Sequence, residues 1–232
     1  MITHLDETID FMNRNELSFV DALIKLTDYE IDMKEINMIK SMVKVAAFPH
    51  LKEIKDFDFS FQPSVNKEQI LDFTTLRFID QKENIVFLGS SGVGKTHLAT
   101  SIGIAAAKKR TSTYFIKCHD LILNLKKAKL ENRLETRLKH YTRYKLLIID
   151  EIGYLPIDED DAKLFFQLID MRYENKSTIF TTNANFKSWG DIFQDPKLAN
   201  AILDRILHHA TVVNIVGDSY RLKDHIQTDK KS

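Results

Sequence analysis

The stretch Gly89-Ser90-Ser91-Gly92-Val93-Gly94-Lys95-Thr96 constrains this chain more than any other. It satisfies G-x-x-x-x-G-K-S/T, a loop whose backbone N–H groups wrap phosphates while the lysine reaches the β and γ groups and the threonine hydroxyl binds Mg²⁺. Such a loop needs a buried strand before it and a helix N-terminus after it. Asn84-Ile85-Val86-Phe87-Leu88 is an apolar run suited to the strand, and Thr96 to Ala107 is predicted as a helix facing the anion. The expected phosphate contacts are therefore Gly89, Ser90, Ser91, Gly92, Val93, Gly94, Lys95 and Thr96, with His97 adjoining. The glycines supply backbone freedom and close approach. A glycine-rich turn with a neighbouring lysine is the plainer alternative, but it does not account for the strand and helix on either side.

Composition narrows the rest. The 232 residues allow one generous domain, or a domain with an appendage. With 44% hydrophobic residues, and only seven Gly and four Pro, the chain can bury a core and is not of disordered type. The formal net charge is zero, so nucleic-acid affinity has to come from local clustering. Cys118 is the single cysteine; it has no disulfide partner and suits a reducing cytosol as a small core residue at a strand end. No apolar run approaches the roughly 18 residues of a membrane span, and the acidic, mixed N-terminus is not a signal peptide. A cytoplasmic protein without membrane association is expected.

Residues 1–62 are predicted as a small helical domain and 63–232 as the main one. Ser18-Phe19-Val20-Asp21 resembles a capping box, and Ile36, Ile39, Met42, Val43 and Ala46 recur at helical spacing before Pro49. The appendage is either a docking module for protein or DNA, or a brace on the main domain. Asp56 to Pro63 forms the expected hinge; its alternating phenylalanines pack under the nucleotide domain, or one of them borders the base. A helix is predicted from Asn66 to about Asp80.

Beyond the phosphate loop, strand and helix alternate. Strands are predicted at Thr113–Ile116, Lys145–Asp150, Ser177–Thr182 and Thr211–Val216. Helices are predicted from Leu121 to about Tyr144, Asp161 to about Tyr173, and Pro196 to about His209. Near-continuous apolar strands between helices indicate an α/β fold with a parallel sheet covered on both faces. The residues after Val216 are too few for a further folded subdomain.

The apolar run Leu146 to Ile149 ends in Asp150 and Glu151, at the strand edge where open parallel sheets place ligands. Asp150, with Thr96, is suited to hold Mg²⁺, and Glu151 to polarise an attacking water. Asn183, closing the next strand, either orients that water or forms a turn.

These residues and the later arginines resemble the AAA+ ATPases. Phe57-Asp58-Phe59-Ser60-Phe61-Gln62-Pro63, Asp150-Glu151-Ile152-Gly153-Tyr154-Leu155-Pro156, Asp204-Arg205-Ile206-Leu207-His208-His209-Ala210 and Ser219-Tyr220-Arg221 resemble the IstB-like ATP-binding proteins of insertion sequences. The ATPase core and the Ser-Tyr-Arg ending are also similar to those of the DnaC and DnaI helicase loaders. The resemblance covers nearly the whole chain from about Phe48. It implies a five-stranded P-loop sheet with the Asn183 strand between those leading to Lys95 and Asp150, and no C-terminal helical lid. It further implies ATP and Mg²⁺ as cofactors, and ATP-dependent homo-oligomers in which Arg205 is supplied to a neighbour's site. Arg205 is otherwise a surface ion-pair arginine. Arg221 matches an arginine that touches the γ-phosphate, ordinarily carried by the lid.

Lys126, Lys127, Lys129, Arg133, Arg137 and Lys139 form a basic stripe that can neutralise DNA phosphates without reading bases, or is simply a solvated face. Asp158 to Asp161 reads as a helix start rather than a metal cluster. His208 and His209 are expected to splay on their helix, and Trp189 to anchor packing. Two classes of function remain: an ATPase, or a nucleotide-gated binding protein that hardly hydrolyses. Within the first, the expectation is a transposition helper on duplex DNA serving a transposase; the alternative is a helicase loader on single strands, partnered by a replicative helicase.

Overall fold

The computed structural model describes residues 8, 10–12, 14 and 18–223. Five strands, β1 (Asn84–Gly89), β2 (Thr113–Lys117), β3 (Leu146–Ile152), β4 (Ser177–Thr182) and β5 (Ala210–Ile215), form one sheet in the order β2-β3-β4-β1-β5. All four pairings are parallel. The strand that leads to Asn183 therefore lies between those leading to Lys95 and to Asp150, as the resemblance implied.

Each strand feeds apolar side chains alternately to two cores, because successive side chains leave a strand on opposite faces. Leu146 and Ile148 join one core, Leu147 and Ile149 the other. The first core is closed by α2 (Lys67–Phe73), α3 (Arg77–Asp80) and the phosphate-loop helix α4 (Lys95–Lys108). The second is closed by α5 (Cys118–Leu130), α6 (Leu134–Thr142), α7 (Glu159–Arg172), α8 (Trp189–Ile192) and α9 (Pro196–Leu207). With both faces covered, β4 is buried along its whole length.

α1 (Phe19–Val45) precedes the sheet, and Ser18 starts it with the capping box anticipated from the sequence. At about 1.5 Å per residue its 27 residues span roughly 40 Å. Its C-terminal half is tied to the core: Glu35 pairs with Arg110, the Ala46 carbonyl accepts from Phe115 N–H at 2.8 Å, and Phe48 lies against Gly103. Nearer its start, Phe19, Val20 and Ile24 are exposed. The expected hinge is packed, with Phe57 and Gln62 buried. Most of residues 1–17 lie outside the described residues.

Three local expectations change. The helix expected over Asn66 to Asp80 is two, separated where Leu76 takes φ +73°. The long basic helix is also two, broken at Asn132 with φ +56°, a conformation asparagine tolerates better than most residues. Cys118 opens α5 rather than ending a strand, and burial pushes its thiol up to about 12. Asp158 caps α7 by accepting from Asp161 N–H, and Trp189 is fully buried, both as anticipated. Beyond β5 the described residues hold one 3-10 turn, Tyr220–Leu222; residues 224–232 lie outside them.

Candidate active site

The carboxyl ends of the strands open into a cleft of about 680 Å³ above the phosphate loop. Gly92 (φ +82°) and Gly94 (φ +102°) shape that loop in conformations that side chains disfavour. Space forbids a side chain as well: a Cβ would sit 2.0 Å from Ser219 Oγ at Gly92, and 2.5 Å from the Phe57 ring at Gly94. The loop then runs into α4, whose positive N-terminal end faces the cleft. Lys95 Nζ donates to the carbonyls of Gly89 and Ser90, each at 2.7 Å. Burial lowers its pKa, and Asp150 opposes that shift.

Asp150 is 1% exposed. Thr96 Oγ1 donates to it at 2.9 Å, and the Thr181 hydroxyl donates to the same carboxylate. Burial raises its pKa, chiefly against those two hydrogen bonds. A hydroxyl and a carboxylate held together at the phosphate loop form an all-oxygen donor set, which fits Mg²⁺ shared with phosphates.

Glu151 is placed by an irregularity in the sheet. The β3–β4 register shifts between Ile149 and Ile152, and Glu151 takes φ +62°. Bulges of this kind re-aim side chains beside active sites, and a left-handed non-glycine residue stores on the order of 1–3 kcal/mol. The bend is held by Glu151 N–H donating to Thr181 Oγ1 at 2.9 Å. The carboxylate meets Lys117 Nζ at 3.0 Å, and this partner raises the lysine's pKa. Lys117 escaped the sequence analysis. It ends β2 in register with Asp150 on β3, a neighbourhood that only the strand pairing reveals.

Asn183 is exposed just past β4 and lines the cleft with His97, Asp150 and Glu151. Of the hinge phenylalanines, Phe57 lines it. Arg221 lines it too, carried by a C-terminal segment that closes over the loop. Tyr220 N–H donates to the Gly92 carbonyl at 3.0 Å, Gln62 Nε2 to the Asp218 carbonyl at 2.7 Å, and Lys223 pairs with Asp58 at 2.7 Å. The Asp58 pKa is held far below the ordinary carboxylate range by Lys223 and Ser60.

Residues 1–228 match the family described as IstB-like ATP binding protein. The chain belongs to that family.

This IstB-like protein is 76% identical to an insertion sequence IS232 ATP-binding protein of Bacillus thuringiensis subsp. berliner, over 99% of this chain and 92% of that one. It is 41% identical to an insertion sequence IS21 ATP-binding protein of Pseudomonas aeruginosa, over 95% and 83%. Among solved structures, the DnaC helicase loader superposes with a TM-score of 0.57 at 28% identity, over 65% of this chain and 88% of that one. The chain is thus an insertion-sequence-type ATP-binding protein with the P-loop fold of the AAA+ class.

The remaining sequence-derived residues of the IstB-like chain lie elsewhere. Arg205, on α9, does not line its own cleft; it pairs with Asp170 and lies 4.7 Å over the Phe166 ring. The basic stripe spreads over α5, α6 and their junction, and much of it is already paired. Lys126 reaches Asp161 at 3.0 Å, Lys139 reaches Glu135 at 2.6 Å, and Arg133 meets Glu131. Lys127 and Lys129 are exposed and enter no ion pair among the described residues, while Arg137 is half-buried. No helix among the described residues is long and apolar enough to cross a membrane.

Proposed function

We propose that this protein is an Mg²⁺-dependent ATPase that assembles with copies of itself on duplex DNA and presents or deforms that DNA for a partner transposase. The observation that carries this is the constellation of Lys95, Thr96, Asp150 and Glu151 around one cleft, in a chain whose relatives are ATP-binding proteins of insertion sequences.

Thr96 and Asp150 would hold the cation, which would supply positive charge to offset that of the phosphates. Lys95 turns from the Gly89 and Ser90 carbonyls to the β and γ oxygens. Glu151, released from Lys117, polarises the attacking water, and the Asn183 amide orients it. Arg221 approaches the γ-phosphate within the same subunit, carried by the C-terminal segment in place of a lid. Arg205, lying outside its own cleft, serves a neighbour's cleft and stabilises the transferred phosphoryl group there. Hydrolysis and assembly are thereby coupled. Lys127 and Lys129, with Arg137 and the outer members of the stripe, meet DNA phosphates. The 1–62 and 63–232 division stands as part of this proposal.

A gel shift with Mg²⁺ and ATP tests it. Retention of duplex, lost in Lys95→Ala, is expected. Much stronger retention of single strands would favour a helicase loader serving a replicative helicase, the reading that the likeness to the DnaC loader supports.

A further inference from the structure

Two helices end side by side at the opposite edge of the sheet from the phosphate loop. α7 stops at Arg172, and Glu174 follows with φ +57°; α9 stops at Leu207, and His208 caps it. The expectation that His208 and His209 splay apart fails, because α9 is capped at His208, whose N–H still donates to the Asp204 carbonyl, and His209 lies beyond the helix. Their ring centroids are 4.0 Å apart. His208 Nδ1 lies 3.9 Å and His209 Nε2 3.6 Å from the same oxygen, Glu174 Oε1. The three ligand atoms all lie within 4.8 Å of one another.

Two independent features favour a cation here. Both helices direct their negative C-terminal ends at the cluster, and Glu174 adds a full charge. The neighbouring cation, Arg205, is already engaged by Asp170. We infer that Glu174, His208 and His209 form a surface site for a divalent transition cation of the Zn²⁺ class.

Bonds of about 2.0–2.2 Å to a tetrahedral ion place ligand atoms roughly 3.3–3.5 Å apart, so modest side-chain adjustment closes the site. Two imidazoles and one carboxylate select Zn²⁺, Co²⁺ or Ni²⁺ over Mg²⁺, which prefers oxygen donors. The ion used with ATP is therefore not drawn here. The Tyr173 hydroxyl, 2.6 Å from His208 Nδ1, yields that nitrogen to the metal and remains beside it. The fourth position is left to water.

Occupancy would tie the end of α9 to the end of α7. His209 also accepts from Asn84 N–H through its carbonyl at 2.7 Å, so the site is braced against the start of β1.

Calorimetric titration of the full chain with ZnCl₂, without nucleotide, tests the assignment. One site is expected in the wild type, weakened about tenfold or more in His209→Ala and in Glu174→Gln. Both variants should bind Mg·ATP as the wild type does, which shows that they are folded. No Zn²⁺ binding by the wild type, or equal binding by wild type and variants, would overturn the site. A Co²⁺ spectrum of tetrahedral type in the wild type, lost in His209→Ala, would supply independent support.

Discussion

The carboxyl edge of the sheet and the basic helices α5 and α6 both carry charge, but they hold it differently. At the sheet edge the charged groups are partnered across elements distant in sequence, as Lys117 with Glu151 and Thr96 with Asp150. Asp150 is buried, so its interactions are weakly screened and each is costly to lose. On α5 and α6 the pairs are exposed and mostly local, as Lys139 with Glu135 one turn away. Exposed pairs of that kind contribute little and weaken further in salt. Single residues should therefore decide what happens in the cleft, whereas the helices act only through summed charge.

The largest contrast is expected at Lys95 and Glu151. Lys95→Ala should weaken Mg·ATP binding about a hundredfold, near the upper range for charge-assisted hydrogen bonds, as read with a fluorescent ATP analogue. Glu151→Gln should leave that binding in place and slow phosphate release by about 100-fold or more. Equal release from Glu151→Gln and wild type would remove Glu151 from the chemistry.

Arg172 sharpens the comparison, because it is buried yet pairs with no carboxylate among the described residues. Its guanidinium donates to the carbonyls of Tyr141, Tyr144 and Ser177 and to Thr178 Oγ1, and burial lowers its pKa to about 9. Arg172→Met strands several acceptors, and a loss of about 3 kcal/mol is expected in denaturant unfolding. A change below about 0.5 kcal/mol would mean that those carbonyls find other partners.

On the helices the effects should be graded. Lys127→Ala with Lys129→Ala should reduce the slope of log affinity against log salt by about 2 on duplex DNA, with no change in sequence preference. An unchanged slope would move the DNA contact elsewhere. The smallest effect concerns Cys118. With a thiol raised to about 12, it stays protonated at pH 8 and should react with a disulfide reagent only after unfolding.

The same contrast explains what the sequence disclosed. The strands themselves, the phosphate loop and the acidic pair Asp150-Glu151 were legible because each rests on a contiguous pattern: an apolar run, fixed glycines, two carboxylates at a strand end; the place of the Asn183 strand in the sheet came only from the family resemblance. Lys117 was not legible, since its role depends on which strand lies beside β3. Nor was the bulge that turns Glu151, or the contact of Tyr220 with Gly92, which joins distant parts of the chain. Helix periodicity ran past Leu76 and Asn132 because apolar spacing continues across each break while the backbone does not. The histidine pair was misjudged for the same reason, one residue beyond the end of α9.

In the proposed function, a cleft on one subunit is completed by Arg205 from the next. Mixing Glu151→Gln with Arg205→Ala tests it directly, since each variant alone should hydrolyse ATP poorly on DNA. In the mixture, an intact Glu151 cleft on the Arg205→Ala subunit meets the Arg205 of a Glu151→Gln neighbour, and recovered phosphate release is expected. A mixture no more active than its separate components, although both variants bind ATP and assemble, would contradict it.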